Sequence, residues 1–197
     1  MDVSCTIVGT FFYPPPVTTP VAQYTPVQHN YPRNPLPQVC RVSNFFDAVR
    51  NGKAHHANDV IFDDGHGGGT IPPVGTPVTA MEAGNVVEAV SGQGPASLPY
   101  PQCSGAPGNY VKIKADGDTY FTIYFHMKPS VSKGQHVSAG QLIGTLDKSG
   151  CQKNPHLHLG RKDPSGNAVN ITIPCVNPLP TTKFSDGLVD DDVPSNI

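Results

Sequence analysis

No long stretch of the chain spaces its apolar residues as an amphipathic helix requires, and 20 glycines and 22 prolines cut its 197 residues into short runs. Helix interiors tolerate neither residue well, so the pattern predicts short strands joined by many turns. Runs at 78–80, 84–90, 110–114, 120–125 and 141–145 gather β-formers between Gly-rich breaks and are predicted to be antiparallel strands. Asp116-Gly117-Asp118, between two of these runs, has the turn chemistry of a hairpin. The expected fold class is all-β: antiparallel sheets in a sandwich-like arrangement.

The length suits one domain able to bury a real core. Eight prolines between residues 11 and 40 predict an extended arm, and four Asp with little to bury after residue 184 predict a tail. The expected division is a Pro-rich arm over 1–40, a domain over 41–180 and an acidic tail over 181–197. The stretch 91–108, rich in Pro, Gly and Ser, is expected to be a long loop walling a cleft.

Charged residues make up only 14%, the net charge is -2, and there is no Lys/Arg block; this argues against a nucleic-acid partner. No apolar run is long enough to span a membrane. Cys5, Cys40, Cys103, Cys151 and Cys175 contain no Cys-x-x-Cys pair, which favours disulfides over a zinc ribbon. Cys151 with Cys175 is the expected pairing, and the odd count leaves one cysteine over. Disulfides persist in oxidising compartments, so a secreted or periplasmic location is expected, although the first residues do not read as a signal peptide.

Eight histidines stand out in a chain so poor in charge. In Pro155-His156-Leu157-His158-Leu159, strand alternation sends both imidazoles to one face, with Cα atoms roughly 6 to 7 Å apart. Such spacing lets one imidazole bind a metal while the other stands beside it; a half-exposed strand with two polar residues outward fits the same pattern equally well. His55 and Asp59 add an imidazole and a carboxylate. Four residues of extended chain would hold these roughly 13 Å apart, so a shared metal requires a bend, expected at Ala57-Asn58. Two His and one carboxylate make the three-ligand set, with an open position, of a hydrolytic zinc.

Five segments resemble the lysostaphin-like, M23-type metalloendopeptidases, also called LytM domains, in matching order over about 46–161. HHANDV is similar to the family's His-x-Gly-x-Asp motif, GTPVTAMEAGNVVEA to the hairpin after it, and YFHMKP to its Tyr-x-His motif. VSKGQHVSAGQLIGTLDKSG is similar to its Val-x-x-Gly stretch, and PHLHLG to its His-Leu-His motif. The resemblance implies a β-rich fold whose groove holds one Zn2+ on His55, Asp59 and His158, with His126 and His156 as the catalytic pair. Spacing alone leaves open whether His55 or His56 is the ligand, and which of His126 and His156 is the general base.

The implied activity is zinc-dependent hydrolysis of peptide bonds in peptidoglycan cross-links. Two rivals have different signatures. A catalytically inactive LytM-type domain that regulates a partner or binds the wall typically lacks one or more of the five site residues, all of which are present here. A structural zinc would need a fourth protein ligand, for which Cys151 is the residue to check. Ala57 stands where the family has Gly, Gly160 where many members have Glu, and FDDGHGGGTIPP lengthens the first link; these departures bear on substrate choice. Asp63-Asp64 is expected to be solvated, His66 to lie in a Gly-flanked insertion, and His29 and His136 to be surface residues.

Overall fold

The computed structural model describes residues 29, 31–50, 53–103 and 105–175. Most of the expected arm, Cys5 and the expected tail lie outside the described residues. Among the described residues the chain forms β1 (Cys40–Asn44), β2 (Val49–Arg50), β3 (Lys53–Ala54), β4 (Asn58–Asp63), β5 (Gly69–Thr70), β6 (Pro77–Thr79) and β7 (Gly84–Val90). It continues as β8 (Tyr110–Ala115), β9 (Phe121–Phe125), β10 (Met127–Pro129), β11 (His136–Val137), β12 (Leu142–Leu146) and β13 (Leu157–Lys162), with no helix. All the strand pairings are antiparallel. The all-β expectation holds.

The large sheet runs β1-β4-β13-β9-β8-β7-β11, with β5 also paired to β4; β10-β12-β6 form a small sheet and β2-β3 a hairpin. Alternation within each strand builds the core. Val60, Val111, Ile113, Tyr124, Leu157 and Leu159 of the large sheet share one hydrophobic cluster with Val78, Met127, Ile143 and Leu146 of the small one. Each such side chain contributes about 1.5–3 kcal/mol when fully buried. Tyr31 and Leu36, from the end of the expected arm, belong to the same cluster.

The disulfides are Cys40–Cys175 and Cys103–Cys151, which corrects the expected Cys151–Cys175 pairing. Cys175 packs against the core to which Cys40 belongs, whereas Cys151 faces the 91–108 loop, where Ala96 N also bonds Gly150 O at 3.0 Å. Sequence proximity therefore misled.

Residues directly opposite across antiparallel strands share a face, and the face away from the core reads as ordered rows. One row runs Asn44, Asp59, His158, Phe125, Tyr110, Val90 across β1, β4, β13, β9, β8 and β7. The next runs Gly160, Ile123, Lys112, Glu88, and a third Lys162, Phe121, Lys114.

Candidate metal and catalytic site

Register brings the first two site residues together: Asp59 of β4 is the cross-strand partner of His158 in β13. His55 arrives through a bend, and that bend lies at His56, whose φ is 57°. This corrects the expected bend at Ala57-Asn58. Asn58 is already paired to Leu159 and must be extended, so the reversal falls two residues earlier. Backbone bonds from His55 N to Ala48 O (2.8 Å) and His56 N to Phe46 O (2.9 Å) hold it.

The three polar atoms form a tight triangle. His55 Nε2 is 3.1 Å from Asp59 Oδ1, His158 Nδ1 is 3.0 Å from the same oxygen, and the two nitrogens are 3.2 Å apart. Tetrahedral zinc with ligands at about 2.0–2.1 Å separates its donors by roughly 3.3 Å. The donor chemistry fits as well. His55 Nδ1 faces the Phe45 carbonyl at 3.2 Å; a carbonyl only accepts, so Nδ1 carries the proton and Nε2 is the basic atom. Asn44 Nδ2 donates to Asp59 Oδ2 at 2.8 Å, leaving Oδ1 to the imidazoles. Asp59 is fully buried, and a buried carboxylate requires such compensation.

His126 and His156 close the other side, both fully buried, with ring centroids 4.9 Å apart. His156 Nε2 lies 3.4 Å from Asp59 Oδ1. Each ring is oriented through Nδ1 by a carbonyl: Asn154 O at 2.7 Å for His156 and Ser149 O at 3.0 Å for His126. His126 has φ 59°, an unusual state for a non-glycine residue. It stands where the chain leaves β9 of the large sheet for β10 of the small one. His126, His156 and His158 make a second group of potential ligand atoms within 4.8 Å; the triangle on Asp59 is tighter and includes an anion.

The segment that offers the Ser149 carbonyl is itself held. Asp147 Oδ1 accepts from Ser149 N (2.8 Å) and Oγ (2.6 Å), Asp147 Oδ2 accepts from Asn109 Nδ2 (2.7 Å), and Ser149 Oγ accepts from Asn109 N (2.8 Å). Gln152 Nε2 donates to Ser149 O at 2.8 Å. Gly108 and Gly150, at φ 74° and 80°, let two loops press together; a Cβ on Gly108 would meet Ser149, and one on Gly150 would meet the Ala106 carbonyl. The Cys103–Cys151 bond ties the 91–108 loop to this segment.

All five site residues expected from the sequence therefore converge. His56 does not join them: it is exposed and packs on Phe46 with centroids 5.5 Å apart. His66 is exposed, and His136 is a surface residue 2.8 Å from Asp116. His29 differs from expectation, being half-buried and bonded to Glu82 at 2.8 Å. Asp63 and Asp64 cap a turn; the N–H groups of His66 and Gly68 hold the Asp64 carboxyl below the usual carboxylate range. Cys151 is consumed by its disulfide and supplies no fourth ligand. Asn44, Asn109, Asp147, Ser149 and Gln152 were not foreseen; the Asp-x-Ser turn ending the DKSG segment was their only local signal.

Residues 65–171 match Peptidase family M23, more than half of the chain. The chain belongs to this family. It is 34% identical over 169 residues to peptidoglycan DD-endopeptidase ShyA of Vibrio cholerae, an alignment covering 81% of this chain and 34% of ShyA. That span is long enough that it necessarily takes in residues 55 to 158. Peptidoglycan DD-endopeptidase ShyC of the same organism is 38% identical over 107 residues, 54% of this chain and 19% of ShyC. The M23 chain thus spans about a third or less of these relatives. A zinc containing peptidase from Vibrio cholerae shares its fold with a TM-score of 0.52 at 25% identity, over 78% of this chain and 41% of that one.

Proposed function

We propose that this M23 protein is a zinc endopeptidase that hydrolyses peptide bonds in peptidoglycan cross-links. The observation carrying this reading is the triangle of His55 Nε2, Asp59 Oδ1 and His158 Nδ1, with sides of 3.0–3.2 Å, beside the buried pair His126 and His156. His55, Asp59 and His158 would hold zinc, which when bound supplies Lewis acidity for amide hydrolysis. His156, with Nδ1 committed to Asn154 O, presents basic Nε2 toward the centre and takes the proton of the attacking water. His126, with Nδ1 donating to Ser149 O, is held so that its protonated Nε2 donates to the carbonyl oxygen as charge grows there and then to the leaving amine. The buried setting strengthens both interactions.

The names of ShyA and ShyC support a peptidoglycan substrate, and the two disulfides support an oxidising, secreted or periplasmic setting. We retain the division into an arm (1–40), a peptidase domain (41–180) and a tail (181–197). No helix among the described residues is long and apolar enough to cross a membrane. The test is digestion of purified cell walls by the zinc-loaded chain, with released peptides identified by mass. New amine termini at cross-links are expected, abolished by chelation and restored by zinc; intact cross-links after prolonged digestion with zinc present would overturn the reading.

A further inference from the structure

His126 and His156 take their orientation from one segment, through Ser149 O at 3.0 Å and Asn154 O at 2.7 Å. That segment, 147–156, lies between β12 and β13 and belongs to no strand. Sheet register therefore does not place it, as it places Asp59 and His158. Asn109 fixes its start, at Asp147 and Ser149, and Gln152 braces it from within. Its middle, at Gly150 and Cys151, is tied to the 91–108 loop.

That loop has no strand of its own among its described residues, and most positions from 91 to 102 are exposed. Gly150 N donates to Gly94 O (2.9 Å), Ala96 N to Gly150 O (3.0 Å) and Cys151 N to Ala106 O (2.9 Å). Water competes for hydrogen bonds between two irregular segments, so each contributes little net. One link is covalent. Cys103–Cys151 joins the segments across 48 positions and removes the conformations in which they separate. Cys151 stands between Ser149 and Asn154 in the chain, so the bond is anchored between the two carbonyls. The triangle of His55, Asp59 and His158 is set by other links: the pairing of β4 with β13 and the backbone bond from His55 N to Ala48 O.

We infer that the Cys103–Cys151 bond positions the catalytic pair. It holds Ser149 O and Asn154 O where they aim His126 and His156, so opening it slows hydrolysis while zinc stays bound. This rests on the peptidase reading. Cys103 and Cys151 act through the carbonyls and are positioning residues.

The test compares the zinc-loaded full chain with Cys103→Ala/Cys151→Ala, which retains Cys40–Cys175. The double variant is expected to keep about one zinc per chain and to lose about tenfold to a hundredfold in kcat, with KM little changed. A readout free of turnover is given by the Nδ1–H resonances of His126 and His156, each identified by its absence in the matching alanine variant. The two carbonyls shield these protons from exchange with water in the unaltered protein, and in the double variant they exchange faster. Unaltered kcat, a loss carried by KM alone, loss of zinc, or unaltered exchange at both rings would each overturn the inference.

If the double variant does not fold, the bridge is opened in the folded, zinc-loaded chain with a trialkylphosphine. The phosphine takes oxygen from water to become the phosphine oxide and leaves two thiols, and alkylation with mass analysis identifies which bridge has opened. Loss of kcat in step with opening of Cys103–Cys151, with zinc retained, sustains the inference; no loss, or loss only as the chain unfolds, overturns it. If the unaltered protein cleaves no cross-link, the peptidase reading fails separately. Proton exchange then decides the positioning role: faster exchange in the double variant sustains it, and equal exchange removes it.

Discussion

Asp59 and His158 are direct partners across β4 and β13, and this register sets Asp59 Oδ1 3.0 Å from His158 Nδ1. A slip of one residue would send His158 to the core face and Leu157 or Leu159 to the site. The apolar alternation that builds the core therefore also places the pair proposed to bind metal, and core and site fail together if the register changes.

The first prediction follows from that triangle. His158→Ala and Asp59→Asn are expected to lose both zinc and hydrolysis, while folded protein with all ligands intact carries about one zinc per chain. Asn44→Ala, which removes the donor to Asp59 Oδ2, should weaken zinc affinity by about 10- to 100-fold. Metal analysis against a competing chelator ranks the three; Asn44→Ala binding zinc as tightly as the unaltered protein would show that Asp59 needs no such support.

Binding and chemistry separate in the second prediction. His156→Ala should keep zinc, since His55, Asp59 and His158 remain, yet lose roughly a hundred- to ten-thousand-fold in rate. His126→Ala should do the same. Zinc content and turnover are to be measured on the same preparations, with folding checked because metal binding also stabilises the native state. Metal loss from His156→Ala with retention in His158→Ala would reverse the assignment.

A third prediction concerns the support of His126. Asp147 accepts bonds from Ser149 N, Ser149 Oγ and Asn109 Nδ2, and Ser149 in turn offers its carbonyl to His126. Asp147→Ala should therefore retain zinc but lose between about tenfold and a hundredfold in kcat through misplacement of the imidazole. The conservative Asp147→Asn can still accept at one atom and should recover part of that loss. Equal kcat in all three proteins would mean that Ser149 is held without Asp147.

How much of this was legible in the sequence depends on range. Alternation is local, so the strand with Leu157 and Leu159 on one face and His158 on the other could be read from five residues. The meeting of His55 with His158 spans 103 positions and was reached through the ordered motifs, since spacing alone left His55 and His56 open. The bend is expected at Ala57-Asn58, but pairing of Asn58 to Leu159 holds Asn58 extended, and the positive φ falls on His56. Carbonyl supports such as Ser149 O and Asn154 O were invisible, because every residue has a carbonyl and only tertiary packing selects two of them.

The last prediction uses the buried cluster on the core side of β13. Tyr31 Oη lies 3.0 Å from Thr122 Oγ1 and accepts from Arg161 Nη1 at 3.1 Å, while Arg161 also donates to Glu82 Oε1 at 2.7 Å. Burial pushes the Tyr31 phenol up from 10.0 to about 12, against the opposing pull of Arg161. The folded state thus holds its proton where the unfolded chain releases it, so the stabilisation is fully present below pH 10 and is lost as pH rises through about 12. Tyr31→Phe removes this dependence, leaving Tyr110 and Tyr124 common to both proteins. At neutral pH the variant should be less stable by about 1 kcal/mol, for lost hydrogen bonding. Between pH 10 and 12 the difference should shrink and then reverse, by on the order of 2 kcal/mol in all. Urea unfolding at successive pH values reads the difference directly, and two curves that remain parallel to pH 12 would show that the Tyr31 proton is not linked to folding.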